Sequence, residues 1–173
     1  MATARSFPDA LSGGAVAGLR GGPILLSEMD SIPAATAAAL SALRPGAIIV
    51  LGGAGVVSEG VRAALAAYAT SGSVTRLAGE DRYATSVAIS RSAYGASGGA
   101  TTFVATGTAF PDGLATGPVA ALVPGPLLLV APNRLPSAIT AELQRLAPAR
   151  VVILGGTGAV SDGVVQAIDA ALP

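Results

Sequence analysis

Apolar positions along the chain fall into two alternating patterns. Residues 126–130, Pro-Leu-Leu-Leu-Val, and the run from Val151 to Leu154 are short and continuously apolar, as in strands buried on both faces. Between them Ile139, Leu143 and Leu146 fall four and three apart, one face of a helix that Pro136 opens. Upstream, residues 101–105 form a β-prone run and Thr106-Gly107-Thr108 a turn. A helix is then expected, with Pro111 in its first turn and Asp112 beside the positive end of its dipole. Its body, residues 113–122, is rich in Ala and Gly and permits close approach to a sheet. After the glycine-rich loop at 155–158, Ser161 is the expected N-cap of a last helix running to Ala171.

The same order of elements occurs twice. Phe7-Pro8-Asp9 recurs as Phe110-Pro111-Asp112, 103 positions later. At the same offset Pro23-Ile24-Leu25-Leu26 becomes Pro126-Leu127-Leu128-Leu129, and Leu51-Gly52-Gly53-Ala54-Gly55 becomes Leu154-Gly155-Gly156-Thr157-Gly158. No net insertion separates the copies, so they share one fold. In the first copy Ser31 and Pro33 open the second helix, and Ser58-Glu59 the third. Residues 74–77 (a strand), Gly79-Glu80-Asp81 (a turn and cap) and 82–94 (a helix) occur once, and residues 95–99 read as a linker.

Strand and helix alternate throughout, so the expected class is α/β: tandem repeats forming layered modules with parallel sheets. The first repeat is placed at residues 1–95, lacking the start of its first strand. The second is placed at 96–173, ending before any counterpart of residues 74–94.

The repeat also disposes of two misleading segments. Residues 113–133 are uncharged and long enough to imitate a membrane span, yet they contain Pro118, Pro124, Pro126 and Pro132, and Arg20 occupies the matching region of the first copy. The apolar run ending at Leu19 imitates a signal peptide but aligns with residues 104–122 of the second copy. It is expected to belong to the domain, leaving the chain without a secretion signal of its own.

Composition narrows the chemistry. Aromatic residues make up 3 % and charged residues 12 %, so the core is expected to be small aliphatic side chains packed closely between backbone elements. Ten basic residues, all Arg, balance ten acidic ones, which argues against a nucleic-acid binder that neutralises phosphates. The chain has no His and no Cys, which excludes disulfides, thiolate nucleophiles, His-based triads and nearly all transition-metal sites. No metal and no cofactor is expected.

The glycine loops, Gly52, Gly53 and Gly55 with Gly155, Gly156 and Gly158, stand between strand and helix, where phosphate is often cradled. Their spacing is neither G-x-G-x-x-G nor a P-loop and no Lys follows, so a structural tight turn is the plainer reading. Asp9 and Asp112 stand at strand ends, where catalytic carboxylates are found, but helix-start stabilisation explains both. Arg76 and Arg82 flank a capped helix start and suit either an anionic ligand or local ion pairs.

Taken together, residues 76–85 (Arg-Leu-Ala-Gly-Glu-Asp-Arg-Tyr-Ala-Thr), Phe-Pro-Asp at 7 and 110, Pro-Ile/Leu-Leu-Leu at 23 and 126, and Leu-Gly-Gly-x-Gly-x-Val-Ser at 51 and 154 resemble the cell wall binding repeat 2 family of Gram-positive bacteria. The resemblance covers nearly the whole chain. It implies an extracellular module attaching surface proteins non-covalently to anionic cell-wall polymers, commonly as three repeats about a pseudo-threefold axis. It also implies that Pro23, Ile24, Leu25 and Leu26, with Pro126, Leu127, Leu128 and Leu129, matter for anchoring. Arg5, Arg20, Arg76, Arg82, Arg134 and Arg150 are the cations available to a polyanion.

Three functions are therefore open to such a chain. The first is a non-catalytic wall anchor. The second is a doubly wound small-ligand or catalytic protein using the glycine loops and Asp9 or Asp112. The third is a repeat fragment acting mainly in assembly with other copies.

Overall fold

The computed structural model describes residues 1–96 and 101–172. Most of the expected linker and the terminal Pro173 lie outside the described residues. Parallel strands alternate with helices from end to end.

In the first copy β1 (Ala2–Thr3) pairs with β2 (Leu26–Ser27), and β3 (Ala47–Leu51) pairs with β4 (Ser73–Leu77). Two backbone bonds join the pairs: the Met1 ammonium donates to the Ile49 carbonyl at 2.7 Å, and the Leu51 N–H to the Met1 carbonyl at 2.9 Å. The strands thus run in the order β2-β1-β3-β4. In the second copy β5 (Thr101–Thr106) lies between β6 (Leu127–Val130) and β7 (Arg150–Ile153), giving β6-β5-β7. Shifted by 103 positions this is β2-β1-β3 again. The Leu154 N–H reaches the Val104 carbonyl at 2.8 Å, repeating the bond from Leu51 to Met1.

The helices are α1 (Pro8–Arg20), α2 (Ala34–Leu43), α3 (Glu59–Leu65), α4 (Arg82–Ala93), α5 (Pro111–Leu114), α6 (Thr116–Leu122), α7 (Ser137–Leu146) and α8 (Asp162–Ala171). Proline opens α1 and α5, each with an acid in the first turn. Ser58 accepts from the Val61 N–H at the start of α3, and Asp81 from the Ala84 N–H at the start of α4. Ser161 holds the N-cap position of α8, but its backbone carbonyl, not its side chain, accepts from Val164 and Val165. One helix expected over 113–122 is divided at Ala115. Pro118 has no N–H to offer the Leu114 carbonyl four residues back, so the hydrogen-bond ladder stops where α5 ends.

The repeats are interleaved. Helix α1 packs against α6, and α4, which belongs to the first copy in sequence, packs on β6 and α7 of the second. Gly14 of α1 faces Gly117 of α6 with backbone close to backbone. The core is aliphatic, with Val104, Leu128, Leu129, Leu143 and Leu146 completely enclosed.

Candidate functional site

At the C-terminal end of the first sheet, the chain leaving β1, β3 and β4 surrounds a cleft of about 310 Å³ lined by Ser6, Asp9, Gly53, Glu80, Asp81 and Arg82 among others. Strand ends of this kind are where sites form in parallel sheets. Three carboxylates and one guanidinium face this space.

Gly52 explains why Asp9 is where it is. The glycine has a left-handed backbone, φ 91°, and a Cβ there would overlap the Asp9 carboxylate. Gly155 repeats the arrangement, with φ 95° and Asp112 in the place of Asp9. The Phe-Pro-Asp and Leu-Gly-Gly motifs are thus two halves of one contact, made twice. Burial pushes the Asp9 carboxyl above its ordinary pKa, with the Arg82 charge acting in the opposite direction.

The glycine loops are closed turns. The N–H groups of Val56 and Val57 point to the Gly53 carbonyl, and those of Ala159 and Val160 to that of Gly156. The Gly52 N–H donates to Leu77. The first cleft is lined by the Asp9, Glu80 and Asp81 carboxylates as well as by Gly53 and Gly55. Gly155, Gly156 and Gly158 are exposed.

Arg76 is not available to an external anion. Its guanidinium donates to the carbonyls of Gly52 and Val57, each at 2.7 Å, and pairs with Glu59 at 2.9 Å. It is the lock that closes the first glycine loop onto β4. Arg82 is exposed and reaches across the repeats, donating to the Gly107 carbonyl at 2.5 Å. Arg5 pairs with Glu28, Arg20 with the Ser92 carbonyl, and Arg150 with the Thr101 hydroxyl. Among the described residues, Arg44 and Arg134 are exposed and their guanidinium groups have no hydrogen-bond or ion-pair partner.

The Pro-x-Leu-Leu segments differ sharply between copies. Pro126, Leu127, Leu128 and Leu129 are buried, so those side chains are core and offer a polymer no surface. Pro23 and Leu26 are exposed, while Ile24 and Leu25 are half-buried. In the second copy Phe103, Val104, Ala105 and Thr106 of β5 pair with Leu127–Val130 and Phe103 packs with Leu127 and Leu129.

One cluster escaped the sequence reading. Glu142, with no exposed surface, accepts from Ser90 at 2.6 Å and pairs with Arg145 at 2.6 Å and Arg91 at 2.9 Å. Burial pushes its carboxyl up, but hydrogen bonds from Arg145, Ser90 and Arg91 outweigh that and hold it below its ordinary value. The spacing of Glu142 and Arg145 along a helix was the available signal, but Ser90 and Arg91 come from α4, far away in sequence. This cluster pins the two repeats together. Among the described residues, no three acidic, His or Cys side chains stand together to hold a metal ion, and no helix is long and apolar enough to cross a membrane.

The twin contacts between Phe-Pro-Asp and Leu-Gly-Gly, set in one doubled α/β architecture, match a known profile: that of Cell wall binding domain 2 (CWB2), over residues 1–62 and 76–165. The chain belongs to this family. Over 158 residues it is 33 % identical to the amidase enhancer of Bacillus subtilis, a match covering 91 % of this chain and 21 % of that protein. Over 159 residues it is 28 % identical to the N-acetylmuramoyl-L-alanine amidase LytC of the same organism, covering 92 % and 31 %. Among solved structures it resembles Cwp8 from Clostridium difficile, with TM-score 0.80 and 27 % identity, covering 96 % of this chain and 28 % of that one. Cwp6 from the same organism matches with TM-score 0.84 and 25 % identity, covering 96 % and 26 %. The chain thus spans a third or less of the relatives it matches. As a member of the CWB2 family it is a cell wall binding module, and its place is the extracellular cell wall.

Proposed function

We propose that the module is a non-catalytic anchor holding a surface protein to an anionic cell-wall polymer. The observation carrying this reading is the family match across both copies, which takes in every motif the sequence repeats. The cations that suit the task are Arg82, Arg44 and Arg134, all exposed. The exposed Pro23 and Leu26 offer apolar contact, and the repeat boundary is taken near residue 96. Weak contacts made at several places add through effective concentration.

Sedimentation with purified cell walls tests the proposal. Binding is expected at low salt and should weaken as ionic strength rises. Replacing Arg82, Arg44 and Arg134 together with Ala should weaken binding and flatten its salt dependence. Absence of binding at low salt would overturn the reading.

One observation favours a small-ligand site instead: the cleft holding Asp9, whose pKa is raised by burial. Asp112 occupies the equivalent place against Gly155, however, which ties both carboxylates to loop geometry rather than to chemistry. Asp9→Asn should therefore leave wall binding unchanged. Loss of binding in a variant that remains folded would favour the cleft.

A further inference from the structure

Where the chain enters β3 and β4, the first copy carries another cleft, of about 390 Å³, walled by the end of α2 and by a 3-10 turn at Ala66–Tyr68. Two backbone bonds staple the walls together: the Thr70 N–H donates to the Pro45 carbonyl at 2.8 Å, and the Ser71 N–H to the Gly46 carbonyl at 3.1 Å. The Thr70 hydroxyl also donates to Pro45, at 3.3 Å, and keeps its lone pairs for accepting. Tyr68 is half-buried, packed against the cluster that contains Leu40, Ile48 and Val61.

Arg44 lines the same cleft in an unusual backbone state. It caps α2 with a left-handed φ of 45° and donates its N–H to the Leu40 carbonyl at 3.0 Å, a place where glycine or asparagine is usual. The second copy keeps this turn, with Ala147 at φ 43° bonded to Leu143, so the backbone belongs to the fold and the guanidinium is an addition. At the same offset Tyr68 becomes Ala171. Cation and aromatic ring thus occur together in one copy and are both missing from the other. Among the described residues neither the Arg44 guanidinium nor the Tyr68 hydroxyl has a hydrogen-bond partner. No acidic side chain lines this cleft, unlike the one that holds Asp9.

We propose that the cleft between Arg44 and Tyr68 is a binding site for an anionic pyranose, a sugar ring bearing a phosphate or a carboxylate. The planar fork of Arg44 takes the anion in two parallel hydrogen bonds, a geometry that fits either group. Tyr68 offers an apolar face with a polar tip, and Ser41 and Thr70 bring hydroxyls to those of the sugar. The stapled walls and the packed ring are in place beforehand, so mainly the Arg44 side chain has to be ordered on binding. The site rests on the anchoring reading for the source of such a sugar, the wall polymer, and supplies that reading with one defined contact.

The test titrates the full chain with glucose 1-phosphate and, separately, with glucuronate, following backbone amide signals by NMR. Saturable shifts confined to the surroundings of Ser41, Arg44 and Thr70 are expected with at least one of them, and much weaker binding of neutral glucose and of inorganic phosphate. Arg44→Ala should weaken binding about ten-fold or more, as for loss of a charge-assisted hydrogen bond. Its fold should be intact by circular dichroism, because Ala147 already occupies the same turn in the second copy. Tyr68→Phe, which keeps the packed ring, should weaken binding by a few-fold. The proposal is overturned if neither sugar gives saturable shifts, if Arg44→Ala binds as well as the wild type, or if inorganic phosphate binds as tightly as the sugar phosphate. Wall sedimentation separates the two readings: a chain that sediments with walls but ignores both sugars loses this site and keeps the anchoring function, and one that binds a sugar but not walls does the reverse.

Discussion

Two residues show how strongly single positions are constrained. Gly52 combines left-handed backbone with a close carboxylate, so Gly52→Ala should destabilise the fold by about 2 kcal/mol, from backbone strain plus overlap. In an Asp9→Ala background the overlap with the carboxylate disappears while that with the Val56 methyl, at 2.6 Å, stays, so part of that loss should be recovered, a coupling that a double-mutant denaturation cycle measures. Glu142 has the opposite character: a buried charge whose partners are already in place. Glu142→Ala removes the carboxylate from Arg145 and Arg91, whose guanidinium groups still reach solvent, and should cost about 1.5–3 kcal/mol in chemical denaturation. Because its carboxyl is held below the ordinary value of 4.5, its contribution is complete above that pH and lost as pH falls through the lowered folded value. Acid titration of the wild type against Glu142→Gln, followed by circular dichroism, should show the variant lacking that component. None of this was legible beforehand. Repetition revealed the glycines and the carboxylates but not that they touch, and a lone Glu on a helix does not announce partners some fifty positions upstream.

Elements were more legible than side-chain partners, because period and punctuation determine them locally. The buried strands at Leu127–Val130 and Arg150–Ile153 and the capped start of α4 follow directly from apolar runs and from Asp81. What local pattern could not show was the extent of β1 and β2, two residues each, because strand length depends on which neighbours are present. The division between α5 and α6 was legible in Pro118, had its missing N–H been weighed against the Ala-rich body around it. Where α1 meets α6, a Cβ on Gly14 would lie 3.5 Å from the Gly117 Cα, ordinary contact. Gly14→Ala should therefore be tolerated. Gly14→Leu should force the helices apart and lower stability by about 1–3 kcal/mol, read as a shift in denaturation midpoint at constant slope.

At the scale of the molecule the surface is uneven. Leu114, Val119 and Leu122 of the second copy are exposed, Leu122 at 86 %, and Phe110 lies at the start of the same stretch. Grouped apolar side chains of this kind favour association. Light scattering should show mass rising with concentration, and Leu114→Glu with Leu122→Glu should abolish that rise without changing the helical signal. Wall sedimentation of the same variant then separates anchoring from self-assembly. The interleaving of the copies has its own consequence. Helix α4 is encoded with the first copy yet lies on β6 and α7 of the second, fastened there through Glu142. The surface joining the halves is thus as much a core as either half's own interior. Expressed as two separate polypeptides, residues 1–96 and 101–173 should find one another and reconstitute the native particle at one-to-one stoichiometry, a split protein that needs no covalent tether.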